Sequence, residues 1–310
     1  MEKTKTKESL LLIDANSLIH RAYHALPPLM SPSGKSVGAL YGFASMLLKI
    51  LREGVSGQSP TYIVAAFDRP EPTFRKQEYD AYKATRVKTA DDLVDQLVEA
   101  RSLLDAFSIT FFEEPGWEAD DIIATLAKQY SKDISVVILS GDSDILQAIR
   151  YGNVVVVAPQ KGINYTVIYD ESVATEKFGV VPERIADYKG LVGDTSDNIP
   201  GVQGIGPKTA VELINKYGSI EDIYAEIDEI GIPETKTQDK LIRCRERALL
   251  SKRLAVLHDE IPLAISLEGL RYQFTKEIGE VLEECFSSLG FTSLVPRVKR
   301  YYNEVMVSSE

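Results

Sequence analysis

Four short runs rich in Val, Ile and Leu constrain the fold of this chain more than any other feature. They lie at Leu10–Ile13, Tyr62–Phe67, Ile134–Leu139 and Val154–Ala158, and a weaker run follows the same pattern at Ile109–Phe112. Such runs do not alternate cleanly between apolar and polar residues, which is typical of strands covered on both faces. Helical periodicity lies between them. The pattern predicts a mostly parallel sheet with helices on both faces.

The second half of the chain has a different pattern. After a hairpin predicted around Tyr165–Tyr169, helices separated by Gly or Pro are expected to begin near Glu171, Pro182, Pro207, Ser219, Glu234 and Thr275. A length of 310 residues is enough for about two domains. We therefore predict an α/β domain at residues 1–170 and a helical domain at residues 171–310.

Composition excludes several classes of protein. The chain has 46 acidic and 35 basic residues, so its net charge of −11 excludes a simple basic coat for nucleic acid. Its two Cys and three His have no zinc-ligand spacing, and two Cys are too few for a disulfide framework. The polar start and the shortness of Leu10–Ile13 argue against a signal peptide or a membrane span. We expect a cytoplasmic protein with no membrane partner.

Three aspartates stand just after predicted strands. Asp14 follows the first run, Asp68 the second and Asp142 the run Ile134–Leu139. Each alone has an ordinary explanation as a helix cap or a turn residue. The carboxyl ends of parallel strands share one edge of the sheet, however, and ligands bind there. Together the three therefore predict a site.

Further acids occur in three clusters. Glu118, Asp120 and Asp121 open a predicted helix, where acids also complement the helix dipole. Asp144 stands two residues after Asp142. A later loop adds Asp194 and Asp197, which could also be residues of an Asx turn or a helix cap. The complete set is Asp14, Asp68, Glu118, Asp120, Asp121, Asp142, Asp144, Asp194 and Asp197.

Nine carboxylates cannot share a small volume without raised pKa values or bound cations. Hard divalent cations prefer oxygen ligands, and Mg²⁺ keeps several waters while using few carboxylates directly. A pair of such ions about 4 Å apart can clamp the attacking and leaving oxygens of a phosphodiester displacement. The acids therefore predict two Mg²⁺ ions and hydrolysis by in-line attack of water.

A glycine-rich segment, Gly201–Thr209, has two interpretations. It is not a Walker A loop, because Pro207 precedes Lys208 and no strand leads into it. We interpret it as a hairpin between helices whose backbone N–H groups at Gly204–Gly206 face a phosphate, irrespective of base sequence. A purely structural helix–turn–helix connection is the alternative.

Two basic segments could also contact nucleic acid. Residues 69–88 carry six basic and three acidic residues, interleaved with Phe74, Tyr79 and Tyr82 on which bases could stack. A solvated surface segment is the alternative, but its position directly after the strand that carries Asp68 favours nucleic acid. Lys240–Arg253 carries six basic residues against Glu246 alone, which predicts either contact with duplex backbone or a solvated helix face.

Six ordered motifs now define a resemblance. They are Ile13–Ser17, Phe67–Asp68, Tyr82–Arg86, Glu118–Asp121, Gly141–Asp144 and Gly193–Val202. In this order they resemble the 5′-nuclease domain of bacterial DNA polymerase I and its flap-endonuclease relatives. The resemblance runs from about Leu10 to the Lys240–Arg253 region. Ala15 stands where the family commonly has Gly, a change we expect to be tolerated.

The resemblance implies a PIN-like α/β nuclease domain followed by a helix–three-turn–helix domain. It implies a metal-dependent 5′–3′ exonuclease and structure-specific flap endonuclease that removes primers and 5′ flaps in DNA replication and repair. Its two metal sites would map onto Asp14, Asp68, Glu118, Asp120 and Asp121 for one ion, and onto Asp142, Asp144, Asp194 and Asp197 for the other.

The resemblance also assigns residues that touch substrate. Lys83 and Arg86 match basic residues over the scissile phosphate, with Tyr82 beside them as a stacking platform. The hairpin, through Gly204, Gly206, Lys208 and Thr209, would bind downstream duplex, where relatives can hold a monovalent cation such as K⁺. Mg²⁺, with Mn²⁺ as a substitute, would be the divalent cofactor.

The implied partners are flapped, nicked or gapped DNA, RNA primers and a DNA polymerase, with the chain itself a monomer. No segment resembles a polymerase domain, so the chain is either a stand-alone nuclease or a piece of a longer polymerase. Two rival functions stay open. An aspartyl phosphatase would use Asp14 but needs a second Asp where Asn16 stands. A non-catalytic DNA-binding module would leave the grouped acids unexplained.

Overall fold

The computed structural model describes residues 8–55, 57, 59–160, 165–229 and 236–307. Its centre is a six-stranded sheet in the order β3-β2-β1-β4-β5-β6, parallel except for the antiparallel edge strand β6. The strands are β1 (Ser9–Asp14), β2 (Tyr62–Ala66), β3 (Thr110–Phe112), β4 (Ser135–Leu139), β5 (Val154–Gln160) and β6 (Tyr165–Tyr169). The predicted α/β class with a mostly parallel sheet is confirmed.

Burial explains why β1 lacks alternation in its sequence. All six of its residues are buried, because successive side chains point to opposite faces and both faces are covered. Leu10 and Leu12 belong to the hydrophobic core on one face. Leu11 and Ile13 belong to the core on the other. This strand pairs with β2 on one side and β4 on the other, which makes it the centre of the sheet.

Helices cover both faces and make up the second half of the chain, as predicted. They are α1 (Ala15–Ala25), α2 (Gly38–Glu53), α3 (Phe74–Glu78), α4 (Asp91–Ala106), α5 (Ala119–Tyr130), α6 (Glu171–Phe178), α7 (Ile185–Val192), α8 (Pro207–Tyr217), α9 (Ile220–Glu229), α10 (Lys236–Arg243), α11 (Arg245–Ala255), α12 (Lys276–Leu289) and α13 (Val295–Val307). The described residues also include 3₁₀ helices at Asp144–Tyr151, Pro182–Arg184 and Leu267–Leu270. Within the described ranges, no helix is long and apolar enough to cross a lipid bilayer.

Element boundaries differ in detail from the sequence prediction. The predicted helix that carries Asp120 and Asp121 begins at Ala119, so Glu118 is its N-cap, and the chain from Asp144 forms a 3₁₀ helix. The start predicted at Glu234 lies outside the described residues, as do residues 161–164. The chain after Thr275 also returns to the α/β half. Phe286 of α12 packs against Phe107 at the end of α4, with ring centroids 6.0 Å apart. Helix α12 therefore extends the hydrophobic core that contains Leu11 and Ile13.

Candidate active site

The carboxyl ends of the three central strands open onto a polar pocket of about 260 Å³. Because β1 lies between β2 and β4, the aspartates that follow these strands meet at one edge of the sheet. The pocket is lined by Asp14, Asn16, Ser17, His20, Asp68, Lys83, Arg86, Glu118, Ala119, Asp120, Gly141 and Asp142. Seven residues predicted for the metal and phosphate site therefore line one cavity.

Asp14 links the end of β1 to the start of α1. Its carboxylate caps α1 by accepting a hydrogen bond from the Ser17 N–H at 3.0 Å, and it accepts a second from the Ser140 hydroxyl at 2.6 Å. Burial raises the pKa of Asp14 to about 7, although the two hydrogen bonds lower it. The negative charges of Asp68 and Asp142 raise this pKa further. This carboxylate is therefore held in an environment that lacks positive charge.

Asp120 stands in the first turn of α5 and faces the same pocket. Burial raises its pKa well above the ordinary range, and the nearby carboxylates of Asp142, Asp14 and Asp68 raise it further. The helix is anchored there because Asp68 accepts a hydrogen bond from the Ala119 N–H at 2.8 Å. The fold thus holds mutually repelling anions close together.

Four of the pocket carboxylates have no partner cation among the described residues. No ion pair joins Asp14, Asp68, Asp120 or Asp142 to a basic residue in the described part of the chain. No three acidic, His or Cys side chains of the described residues are arranged to hold an ion by themselves. Mg²⁺ keeps several of its waters and uses few carboxylates directly, so oxygen donors that do not enclose an ion by themselves still suit it. The donor set therefore fits a hydrated divalent cation.

The basic residues at the pocket are held by two of the predicted acids. The Lys83 ammonium donates to Glu118 at 2.8 Å, and the Arg86 guanidinium donates to Asp197 at 2.6 Å. The Tyr82 hydroxyl lies 3.1 Å from Glu118 and 3.0 Å from Asp197. Tyr82 is buried, so it is not free to stack on a base as the sequence resemblance implies. It instead joins the two carboxylates that orient Lys83 and Arg86.

Lys83 and Arg86 stay charged in this setting. Burial lowers the pKa of Lys83, but the charges of Glu118 and Asp197 outweigh it and leave that pKa raised. The pKa of Arg86 is raised in the same way, with Asp197 outweighing burial. The backbone of Lys83 is strained, with a φ of +54°. Its N–H donates to the Asp197 carbonyl at 2.9 Å, which holds this turn against the loop that carries Asp194 and Asp197. Two permanent cations therefore face the acidic pocket.

A buried lysine that the sequence analysis did not single out joins two of the remaining acids. The Lys189 ammonium on α7 donates to Asp144 and, at 2.6 Å, to Asp194. Burial raises the pKa of Asp144 to about 6 although Lys189 opposes it. The pKa of Asp194 falls to about 2, because hydrogen bonds from Lys189 and Ser196 outweigh its burial. These acids already have a cation between them. The one sequence signal was a lysine inside the mostly apolar run Ile185–Val192, whose other charged residue is Asp187.

Asp121 does not line the pocket, which argues against the metal role predicted for it. Its carboxylate is fully buried and makes two 2.7 Å hydrogen bonds to the Arg75 guanidinium. It also accepts hydrogen bonds from the N–H groups of Glu118 at 3.2 Å and His258 at 2.9 Å. Because each carboxylate oxygen of Asp121 accepts two hydrogen bonds, we remove this residue from the candidate metal ligands.

The glycine-rich hairpin lies outside the pocket. Pro207 is the first residue of α8, as predicted, and the hairpin turns through Gly201 and Gly204, whose φ angles are +60° and +82°. A Cβ at Gly201 would come within 2.4 Å of the Gly193 nitrogen, so only glycine fits there. Gly204, Gly206 and Lys208 are exposed and Thr209 is half-buried. These positions are accessible to a large ligand.

Comparison with protein families decides the identity of this fold. The 5′-3′ exonuclease N-terminal resolvase-like domain matches residues 9–179, and the 5′-3′ exonuclease C-terminal SAM fold matches residues 180–277. The chain belongs to the 5′-3′ exonuclease family. Both domains of the 5′-3′ exonucleases are thus present in this chain, in the same order. The helical half of this 5′-3′ exonuclease is accordingly a SAM-like domain.

Individual relatives agree with this assignment. DNA polymerase I of Bacillus subtilis is 41% identical over 294 residues, covering 94% of this chain and 32% of the relative. The exonuclease chain thus spans about a third of the length of that polymerase. The zinc-bound bacteriophage T5 5′-exonuclease has a TM-score of 0.63 at 21% identity, covering 98% of this chain and 100% of that one. The T5 flap endonuclease crystallised with DNA and metal ions has a TM-score of 0.65 at 19% identity, covering 96% and 98%.

Proposed function

We propose that this chain hydrolyses phosphodiester bonds at 5′ flaps, nicks and gaps with two Mg²⁺ ions, Mn²⁺ being able to replace them. The observation that carries the proposal is a pocket in which four carboxylates have no partner cation in the described part of the chain, beside two fixed cations. An anionic phosphodiester needs positive charge at such a pocket, which Lys83 and Arg86 provide only in part. Bound divalent ions would supply the remaining charge, polarise the phosphoryl oxygens and activate water.

The chain's own residues have separate tasks in this proposal. Asp14, Asp68, Asp120 and Asp142 would hold one ion. Asp144 and Asp194, joined by Lys189, would serve the second ion together with Asp197, which also orients Arg86. Glu118 aims Lys83, so that Lys83 and Arg86 bind the scissile phosphate and stabilise the charge that develops on it. In-line attack by water needs no His or Cys nucleophile.

We infer that the substrates are DNA and RNA primers, in replication and repair, with the hairpin Gly201–Thr209 binding duplex through its backbone N–H groups. A DNA polymerase is the proposed partner, because the polymerase relatives are about three times as long as this chain. The phosphatase alternative is disfavoured because Asn16 accepts a hydrogen bond from the Asp68 N–H at 3.2 Å and offers no carboxylate.

A labelled flap substrate tests the proposal. A duplex with a fluorophore on its 5′ flap is incubated with the protein in Mg²⁺ or in excess chelator, and product lengths are read on a gel. Mg²⁺-dependent release of short labelled products supports the proposal. Asp120→Asn should abolish release, whereas Asp105→Asn, the same charge change on an exposed face of α4, should not. Duplex binding without cleavage in Mg²⁺ or Mn²⁺ would favour the non-catalytic module instead.

A further inference from the structure

The loop that carries Asp194 and Asp197 is tied to the turn that carries Lys83. The side-chain amide of Asn198 donates to the Ala81 carbonyl at 2.7 Å, although the two residues are 117 positions apart in the sequence. The Lys83 N–H donates in the opposite direction, to the Asp197 carbonyl at 2.9 Å. A reciprocal pair of hydrogen bonds therefore joins the two segments.

The turn that Asn198 binds is the one that places both cations of the pocket. The Ala81 carbonyl also accepts a hydrogen bond from the Ala84 N–H at 3.1 Å, which closes the turn around Lys83. The next turn closes in the same way, because the Arg86 N–H donates to the Lys83 carbonyl at 3.1 Å. A shift of the Ala81 carbonyl would therefore move Lys83 and, with it, Arg86.

Both ends of this connection have a left-handed backbone. The φ angle is +54° at Lys83 and +57° at Asn198. Such values are unfavourable for most residues other than glycine, and Asn adopts them more readily than Lys does. A strained turn of this kind persists when contacts from the surrounding structure hold it. The Asn198 amide and the Asp197 carbonyl provide such contacts for the turn at Lys83.

Asn198 can be changed without removing an acid or a cation of the site. Asp197 cannot, because its carboxylate also accepts hydrogen bonds from Tyr82 at 3.0 Å and from Arg86 at 2.6 Å. The Asn198 side chain is uncharged and half-buried, and it does not line the acidic pocket. A substitution at Asn198 therefore tests the connection between the two segments by itself.

We propose that Asn198 is a positioning residue for phosphodiester cleavage. Its amide holds the Ala81–Ala84 turn in place, so that Lys83 and Arg86 reach the scissile phosphate together. The inference rests on the roles of these two cations in the proposed function. Reaction rates are sensitive to small displacements of groups that bind the reacting atoms. Loss of the amide should therefore slow cleavage and leave duplex binding unchanged.

Single-turnover cleavage of the labelled flap duplex in Mg²⁺ tests this inference. Asn198→Gly removes the amide and keeps a residue that tolerates a positive φ. It should slow cleavage by about tenfold or more, because the two cations lose their fixed position. The Kd for the duplex, measured by fluorescence anisotropy in chelator, should stay within about twofold of the wild-type value. Asn198→Asp keeps the size of the side chain but loses the donor, so it should slow cleavage as well.

A double-mutant cycle tests whether Asn198 acts through Lys83. In a Lys83→Ala background the ammonium is already gone, so Asn198→Gly should slow cleavage by a smaller factor than it does in wild type. Asn215→Ala is the matched control, because the Asn215 amide on α8 also donates to a backbone carbonyl, that of Gly179 at 3.1 Å. It should leave the rate and the Kd unchanged.

Three results would overturn the inference. They are a wild-type rate in the folded Asn198→Gly variant, an equal loss of rate with and without Lys83, and a rate loss explained by weaker duplex binding. If Asn198→Gly does not fold, the same outcomes are read from Asn198→Asp. Failure of the proposed function is a separate result, in which wild type itself does not cleave the flap in Mg²⁺.

Discussion

Arg75 and Asp121 form a buried two-point ion pair, with both nitrogen–oxygen distances at 2.7 Å. Arg75 also donates to the carbonyls of Leu254 at 2.9 Å and Val256 at 2.7 Å. It thereby connects the basic segment, the start of α5 and the chain that leaves α11. The same helix start carries Asp120 into the pocket, so neighbouring aspartates have opposite tasks, one in stability and one in the site.

Breaking the Arg75–Asp121 pair should destabilise the fold. Asp121→Ala removes both 2.7 Å hydrogen bonds from a buried guanidinium and leaves it, of the acids that the structure describes, only Glu118, at 3.3 Å, as a counter-charge. We expect a cost of about 3–5 kcal/mol of the free energy of unfolding. Asp120→Asn should not destabilise the metal-free protein, because it removes an anion that burial and neighbouring charges disfavour. Urea denaturation in chelator measures both. Equal losses of stability in the two variants would contradict the division of tasks.

The metal-free protein should gain stability from Asp14 as the pH falls. The folded-state pKa of Asp14 is about 7 and its ordinary value is 3.8, so the folded protein binds a proton that the unfolded chain does not bind between these values. The free energy of unfolding of wild type relative to Asp14→Asn should therefore increase from pH 8 to pH 5 in chelator. A difference that is constant or shrinks over this range would contradict the raised pKa.

Lys83→Ala should slow cleavage while its Mg²⁺ dependence is retained. Loss of a cation that stabilises charge on the scissile phosphate should reduce the single-turnover rate by about a hundredfold or more. Lys88→Ala, which removes an 85% exposed lysine of the same segment, is the control and should cleave at the wild-type rate. Full activity of Lys83→Ala would remove Lys83 from the mechanism.

Lys189→Met should alter the second group of acids selectively. Asp144 and Asp194 would lose the ammonium between them, so that two anions face each other without a cation. We expect Mg²⁺ to stabilise the variant more than it stabilises wild type, because the ion would replace the lost charge. The Mg²⁺ concentration that gives half of the stability gain should not increase. Thermal melting across a Mg²⁺ series measures this, and an unchanged or smaller stabilisation would contradict it.

Part of this site follows from topology and was predictable from sequence. Asp14, Asp68 and Asp142 follow strands, and parallel strands present their carboxyl ends at one edge whatever the details of packing. Topology does not tell which of Asp120 and Asp121 faces the pocket. Adjacent helix positions point about 100° apart, so one faces the pocket and the other the interior, and only tertiary packing decides which.

Partners that are distant in sequence explain the remaining differences. Arg75 belongs to a basic segment that composition assigned to contact with nucleic acid or solvent. Its side chain is instead buried against Asp121, which lies 46 residues further along the chain. Tyr82 is buried by Glu118 and Asp197 in the same manner. Local sequence carries no signal for such contacts, since each depends on where another segment packs.

Thermal melting with and without millimolar Mg²⁺ tests most directly whether the acidic pocket is a cation site. A ligand that binds only the folded state raises the melting temperature. Wild type and Asp105→Asn should both melt higher in Mg²⁺ than in chelator, and the Asp120→Asn and Asp142→Asn variants should show a smaller rise. No rise in wild type at any Mg²⁺ concentration, or an equal rise in all four proteins, would contradict the account.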